Sequence, residues 1–264
     1  GANTVLFQVR PSSDALYQSK LFPVSEFLTG EQGGDLPGGF DPYGYLVEEG
    51  HRQGLRVYAW INPYRITTGT AESPKTDVNA LDKSNPARIH PEWTIAYADG
   101  RLYYDPGLPE VRELIVSGVR ELVENYETDG VIFDDYFYPY PVKNADFDDD
   151  ATYIKYGGIT RLEDWRRENV NILVRDCYTA IKEINPACEF GIAPFGIWQN
   201  DNGSNGGSKT SGFDSYSLIY SDPVAWIKGG YLDFIAPQIY WQFTTSVARF
   251  DVLVRWWNAV MSGH

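Results

Sequence analysis

Short apolar runs separated by longer polar stretches set the rhythm of this chain. Five of the runs have strand length and a β-branched or aromatic bias: Thr4 to Arg10, Leu55 to Asn62, Gly130 to Asp135, Phe190 to Pro194 and Leu232 to Tyr240. Helical patterns with start and stop signals lie between most of them. Asp41-Pro42 offers an N-cap with proline at the first helical position, and Gly54 closes that helix. From Pro109 to Tyr126 the apolar residues Val111, Leu114, Ile115, Val119, Leu122 and Val123 follow the helical period. Thr160 with Glu163 has capping-box spacing ahead of a long helix that Pro186 ends, and Asp222-Pro223 repeats the Asp-Pro device. Alternation of strand and helix predicts an α/β fold on a parallel sheet, open or closed into a TIM-type (β/α) barrel.

Within strands, side chains alternate between faces, so the uniformly apolar parity belongs against the helices. Val5, Phe7 and Val9 are assigned outward, leaving Leu6, Gln8 and Arg10 inward. The same rule turns Tyr58, Trp60 and Asn62 inward, then Asp134 and Tyr136, then Phe234, Ala236, Gln238 and Tyr240. Each inner face becomes polar or aromatic towards its C-terminal end, where barrel enzymes carry their sites. Gln8, Arg10, Asn62, Asp134, Tyr136, Gln238 and Tyr240 are therefore expected to line one concavity. Long stretches follow these strand ends, and the Gly/Ser/Asn-rich segment 200–212 is expected to be mobile.

Composition narrows the partners. The 264 residues, 43% apolar, suffice for one large core, so a single domain over 1–264 is expected. A formal charge of -14 would repel phosphate backbones and anionic lipid surfaces, which argues against nucleic acid and membrane partners. No apolar run is long enough for an integral membrane segment, and no leader is visible. Cys177 and Cys188 have no metal-ligand or disulfide-framework spacing and read as core residues. Three scattered histidines leave few candidate zinc ligands, so neither metal nor other cofactor is expected. No dinucleotide fingerprint or P-loop follows a strand. Aromatic residues make up 15% of the chain; they fill cores, and exposed ones also stack on sugar rings.

The strongest chemical signal is DGVIFDDYFYP, Asp129 to Pro139, where two carboxylates end an apolar strand and lead into aromatics. Glycoside hydrolysis needs a carboxylate pair about the scissile bond. Asp134 has inward parity and is the candidate catalyst, ionised as nucleophile or base. Asp135 shares the candidacy only if the strand ends before it; adjacent acids at a strand end also cap loops. Arg10 either holds a substrate group or pairs with Asp134 and keeps it charged. Asn62, Tyr64 and Arg65 could bond sugar hydroxyls, and Trp198, Gln238, Tyr240 and Trp241 are the candidate stacking and hydroxyl-recognition groups. Asp105 reads as a helix-start device, and the run Asp146, Asp148, Asp149, Asp150 as a solvated loop, with calcium as the less favoured alternative.

With these residues in view, the chain resembles the glycoside-hydrolase-like family-10 barrels, which include bacterial envelope lipoproteins acting on peptidoglycan glycan strands. The likeness rests on NTVLFQVRPSSDALY (3–17), RVYAWINPYR (56–65), LYYDPGLPEVRELI (102–115), DGVIFDDYFYPYP (129–141), DWRRENVN (164–171), FGIAPFGIWQN (190–200) and IAPQIYW (235–241). It implies a glycosidase acting by carboxylate chemistry on a secreted or cell-envelope polysaccharide or oligosaccharide. The alternative is a carbohydrate-binding barrel without catalysis; a metal-dependent deacetylase would need histidines that the chain lacks. Relative to the family, about six of eight barrel units are visible here, so an incomplete barrel is expected, with an exposed edge that could associate with another chain.

Overall fold

The computed structural model describes residues 1–262. Its strands, in chain order, are β1 (Thr4–Arg10), β2 (Arg56–Ile61), β3 (Thr94–Ala96), β4 (Leu102–Tyr104), β5 (Gly130–Phe133), β6 (Glu189–Ile192) and β7 (Phe234–Ile235). Five of them form one parallel sheet in the order β1-β2-β5-β6-β7. The order follows the chain, as in a barrel wall, but β1 and β7 are free edges among the described residues. The architecture is an α/β parallel sheet, an incomplete barrel. A separate antiparallel pair, β3 with β4, lies in the long connection after β2.

One face of the sheet is packed and the other is open. Val57, Ala59, Ile61, Val131, Phe133, Phe190 and Ile192 are fully buried against the helices. The helices Pro109–Asn125 and Leu162–Ile184 cover them with Val111, Ile115, Val119, Leu122, Val170, Leu173, Val174 and Cys177, and they also pack on each other. Each large apolar side chain buried here contributes about 1.5–3 kcal/mol. Phe133 sits edge-on to Phe190, 5.1 Å away on the neighbouring strand. On the inner face the register aligns Gln8, Trp60, Ile132, Gly191 and Phe234 in one row. Gly191 is required there, because any side chain would collide with the Phe234 ring. Leu6 is 50% exposed on this face, as expected where no opposite wall closes over it.

The helix signals hold in part. Asp41 caps Pro42–Arg52 by accepting from the Gly44 amide, and Asp222 caps Pro223–Gly229 by accepting from Ala225. The Thr160–Glu163 box does not form: the long helix starts at Leu162 after Arg161, with no side-chain cap. The last strand is two residues long rather than nine, although Ala236 and Gln238 still donate to Ile192 and Pro194; Pro237 between them turns its donor-less nitrogen to the open edge. The 200–212 segment is tied internally, with Asn200 bonded to Thr210 and to the Gly212 carbonyl, and Trp256 donating to Gly206. Both cysteines are free and buried.

Candidate active site

The C-terminal ends of β2, β5 and β6, with Leu6 of β1, surround a cleft of about 340 Å³ whose wall also includes Trp60, Asp134, Asp135, Gln238 and Tyr240. Asp134 follows directly on β5 and is 4% exposed. Its Oδ2 accepts from Trp60 Nε1 and Asn62 Nδ2, each at 3.2 Å, and its Oδ1 from the Tyr136 amide at 3.1 Å. Trp60 of β2 and Asn62 just past its end thus aim two neutral donors at it, and the turn after β5 supplies the third. Burial pushes this carboxyl up to about 7, with Asp135 adding to the rise, while the Tyr136 amide, Arg65 and Trp60 pull it back. A group at that value gives and takes a proton near neutral pH.

Asp135 lines the same cleft although it is the next residue. β5 ends at Phe133, so strand alternation no longer governs its direction. Its Oδ1 accepts from Gln238 Nε2 at 2.9 Å, and its Oδ2 from the Tyr140 hydroxyl. Gln238 also donates to the Ala193 carbonyl, 2.8 Å away, which ties the chain after β7 to the end of β6. Burial and the bond to Asp135 hold the Tyr140 phenol above its ordinary range, so it stays a donor. Tyr140 lies in the aromatic run after Asp135, and only its position five residues on hinted at this contact.

Other predicted residues fall in several places. Gln8 is on the inner face beside Trp60, as its parity requires. Tyr240 is 83% exposed on the cleft wall, and the Tyr136 ring lies 5.6 Å from Tyr140. Asn62 is fully buried and spends its amide on Asp134; its Oδ1 has no partner among the described residues.

Arg10 is not in the cleft. A bulge interrupts β1, since Gln8 pairs with Trp60 but Arg10 pairs with Ile61, so Val9 is the extra residue and Arg10 takes outward parity. Its guanidinium stacks 3.7 Å from the Phe22 ring, tight against Gly118 of the helix Pro109–Asn125. It therefore does not pair with Asp134. Arg65 is the cation acting on that carboxyl: its Nε donates to the Pro11 carbonyl at 2.9 Å and its guanidinium lies 5.3 Å from the Tyr136 ring centre. Tyr64 is fully buried in the main core rather than facing the cleft. Trp198 donates to Asp222 at 2.9 Å and stacks on Trp256, and Trp241 packs on Phe195; both belong to a second apolar cluster with Ile197, Leu253 and Trp257.

A second buried acidic group lies elsewhere. Asp149 is 1% exposed and bound by Arg166, which donates Nε to Oδ2 at 2.9 Å and Nη2 to Oδ1. The acidic run is thus not wholly a solvated loop, because Asp149 turns inward while Asp146, Asp148 and Asp150 stay exposed. Asp105, beside it, accepts from Gly107 and Thr152, and burial pushes it up to about 6. Among the described residues no helix is long and apolar enough to cross a membrane.

Comparison with known proteins places the chain in a family. The family model described as Glycosyl hydrolase-like 10 matches residues 1–263. Glycosyl hydrolase YngK of Bacillus subtilis (strain 168) is 45% identical over 261 residues, which cover 98% of this chain and 50% of that protein. Glycosyl hydrolase DigH of Escherichia coli (strain K12) is 42% identical over 265 residues, covering 99% of this chain and 60% of that protein. The chain therefore spans half to three fifths of the length of these curated relatives. Among solved structures, the PgaB (BpsB) glycoside hydrolase domain from Bordetella bronchiseptica superposes with a TM-score of 0.52 at 13% identity, over 99% of this chain and 70% of that one. That likeness concerns the fold alone.

Proposed function

The chain belongs to the glycosyl hydrolase-like 10 family, and from that premise we propose that it hydrolyses glycosidic bonds of an extracellular or cell-envelope polysaccharide, peptidoglycan glycan strands being the favoured substrate. The observation that carries the reading is one cleft holding two carboxyls in unlike settings. Asp134, near neutrality, delivers a proton to the leaving oxygen as the glycosidic C–O bond breaks; water adds to the anomeric carbon and returns a proton to Asp134. Asp135, oriented by Tyr140 and Gln238, faces the positive charge that develops on an oxocarbenium-like transition state. Tyr240 and Tyr136 offer faces for a sugar ring, and Trp60 and Asn62 hold Asp134 in place.

This assignment revises the expectation of an ionised Asp134 kept charged by Arg10, since that arginine lies behind the sheet. The test is reducing-end release from purified peptidoglycan glycan strands. Asp134→Asn should fold and bind glycan while its turnover drops by about 10²–10⁴-fold. The parent's turnover should fall about tenfold per pH unit above about 7, the side on which an acid loses its proton. Near-normal turnover of the variant removes Asp134 from the chemistry; glycan binding without release by the parent selects the binding barrel instead.

A further inference from the structure

A second cavity, of about 400 Å³, opens at the same end of the sheet between the loop after β1 and the loop after β2. Its size falls in the small-ligand range of about 300–1,000 Å³. Ser12 and Asp14 line it and are 5% and 3% exposed; Ser12 Oγ has no hydrogen-bond partner among the described residues, while the Asp14 carboxyl is approached by Gln32 and the Ser25 hydroxyl. Buried polar atoms are rarely left so. The wall around them is held in place: Gln32 Nε2 donates to Asp14 Oδ2 at 3.2 Å, while Gln32 Oε1 accepts from the Asp82 amide and from Asn85. Phe27, also on the wall, is 62% exposed with its ring free for a ligand.

The chemistry of the wall selects the occupant. Lys75 is taken up by Glu26 at 2.9 Å, and Asp14 and Asp77 remain, so an anionic group is disfavoured. Burial holds the Asp14 carboxyl above its usual range, with Glu26 adding to the rise and Gln32 and Ser25 opposing it. The hydroxyls of Thr68 and Thr76 complete a lining of small polar groups around one aromatic face. We propose that this cavity is a carbohydrate subsite separate from the Asp134 cleft, with Asp14 and Ser12 accepting hydrogen bonds from sugar hydroxyls and Phe27 lying against the ring. Its place in the molecule fits that use. Arg65, which donates to Pro11 and lies over Tyr136, stands between the two cavities, so a glycan running along the sheet's C-terminal edge would meet both.

The inference rests on the glycan-hydrolase reading for the class of ligand, but its test is separable. Amide spectra of the whole chain are recorded while N-acetylglucosamine, glucose, galactose and β-1,4-linked oligomers of the first two are added in turn. At least one of these sugars should move the Ser12 and Phe27 signals. Phe27→Ala and Asp14→Asn should each weaken that sugar's affinity about tenfold, and Asp134→Asn should leave it unchanged at this cavity. Phe27 is exposed, so its variant keeps the fold even if the buried Asp14 variant does not. Signals at Ser12 and Phe27 that stay still with every sugar, or an affinity indifferent to Phe27→Ala, overturn the proposal even if the parent releases reducing ends. Sugar binding here in a protein that releases none would retain the subsite and reject the hydrolase.

Discussion

Asp134 and Asp149 are both carboxyls with almost no exposure, yet their surroundings differ in kind. Asp149 is gripped on both oxygens by Arg166, which also bonds the Phe147 carbonyl and Tyr220. Asp134 touches only neutral donors, Trp60, Asn62 and the Tyr136 amide, and opens on a cleft. A buried acid with its own cation in contact is committed to holding the structure, because losing either partner strands a charge. One held by N–H groups alone keeps its proton in play. Asp105 shows that an elevated value is not enough: burial pushes it up to about 6, but its contacts with Gly107 and Thr152 are structural.

Removing the cation gives the largest expected effect. Arg166→Met should cost about 3–5 kcal/mol of stability in denaturant melts, because Asp149 is left buried without compensation. Turnover per folded molecule should stay at the parent's level; a stable Arg166→Met would erase the contrast between the two acids.

An effect of comparable size, but one that depends on pH, should mark Asp134. Its folded value of about 7 lies above the ordinary 3.8, so its contribution to stability is complete below about pH 4 and is lost as pH rises through 7. Each pH unit in that interval removes about 1.4 kcal/mol from the parent and none through this site from Asp134→Asn. The variant's gain in Tm over the parent should therefore grow between about pH 4 and 7 and level off above. A constant difference would mean that Asp134 is ionised throughout.

The smallest effect expected is that of Tyr140→Phe, which removes one donor from Asp135 and leaves Gln238. Turnover should drop about tenfold, in keeping with about 1.5 kcal/mol, the lower end of what a hydrogen bond to a charged group contributes. An unchanged rate would make Tyr140 a packing residue only.

Much of this was legible in the chain because period-two and 3.6-residue patterns report which faces are buried. The strands around Phe7, Ala59, Val131 and Phe190, the two long helices and the inward parity of Trp60, Asp134 and Gln238 all follow from them. Parity failed where the backbone left the regular strand. One extra residue at Val9 carried Arg10 to the opposite face, and the end of β5 freed Asp135 to share the cleft. Apolar bodies with polar tips misled in another way: Tyr64 and Trp198 look like sugar platforms in sequence, but Tyr64 is fully buried in the main core and Trp198 packs against the second cluster. Ser12 and Asp14 lay inside the PSSDALY motif without any periodic signal, since their loop gains meaning only when the segment 74–81 folds over it.

The parallel sheet also sets the tempo of assembly. Thr4 pairs with Arg56, Tyr58 with Gly130, Gly130 with Glu189 and Gly191 with Phe234, so every rung closes a loop of dozens of residues. Such loops lose chain entropy before any ladder bond repays it, which makes folding slow compared with a helical protein of equal length. During synthesis the Asp134 turn can be translated well before Gln238 exists to hold Asp135, and the cleft forms only once the β7 segment has emerged and docked on β6. The candidate cleft thus gains its walls only after the segment following β6 has docked.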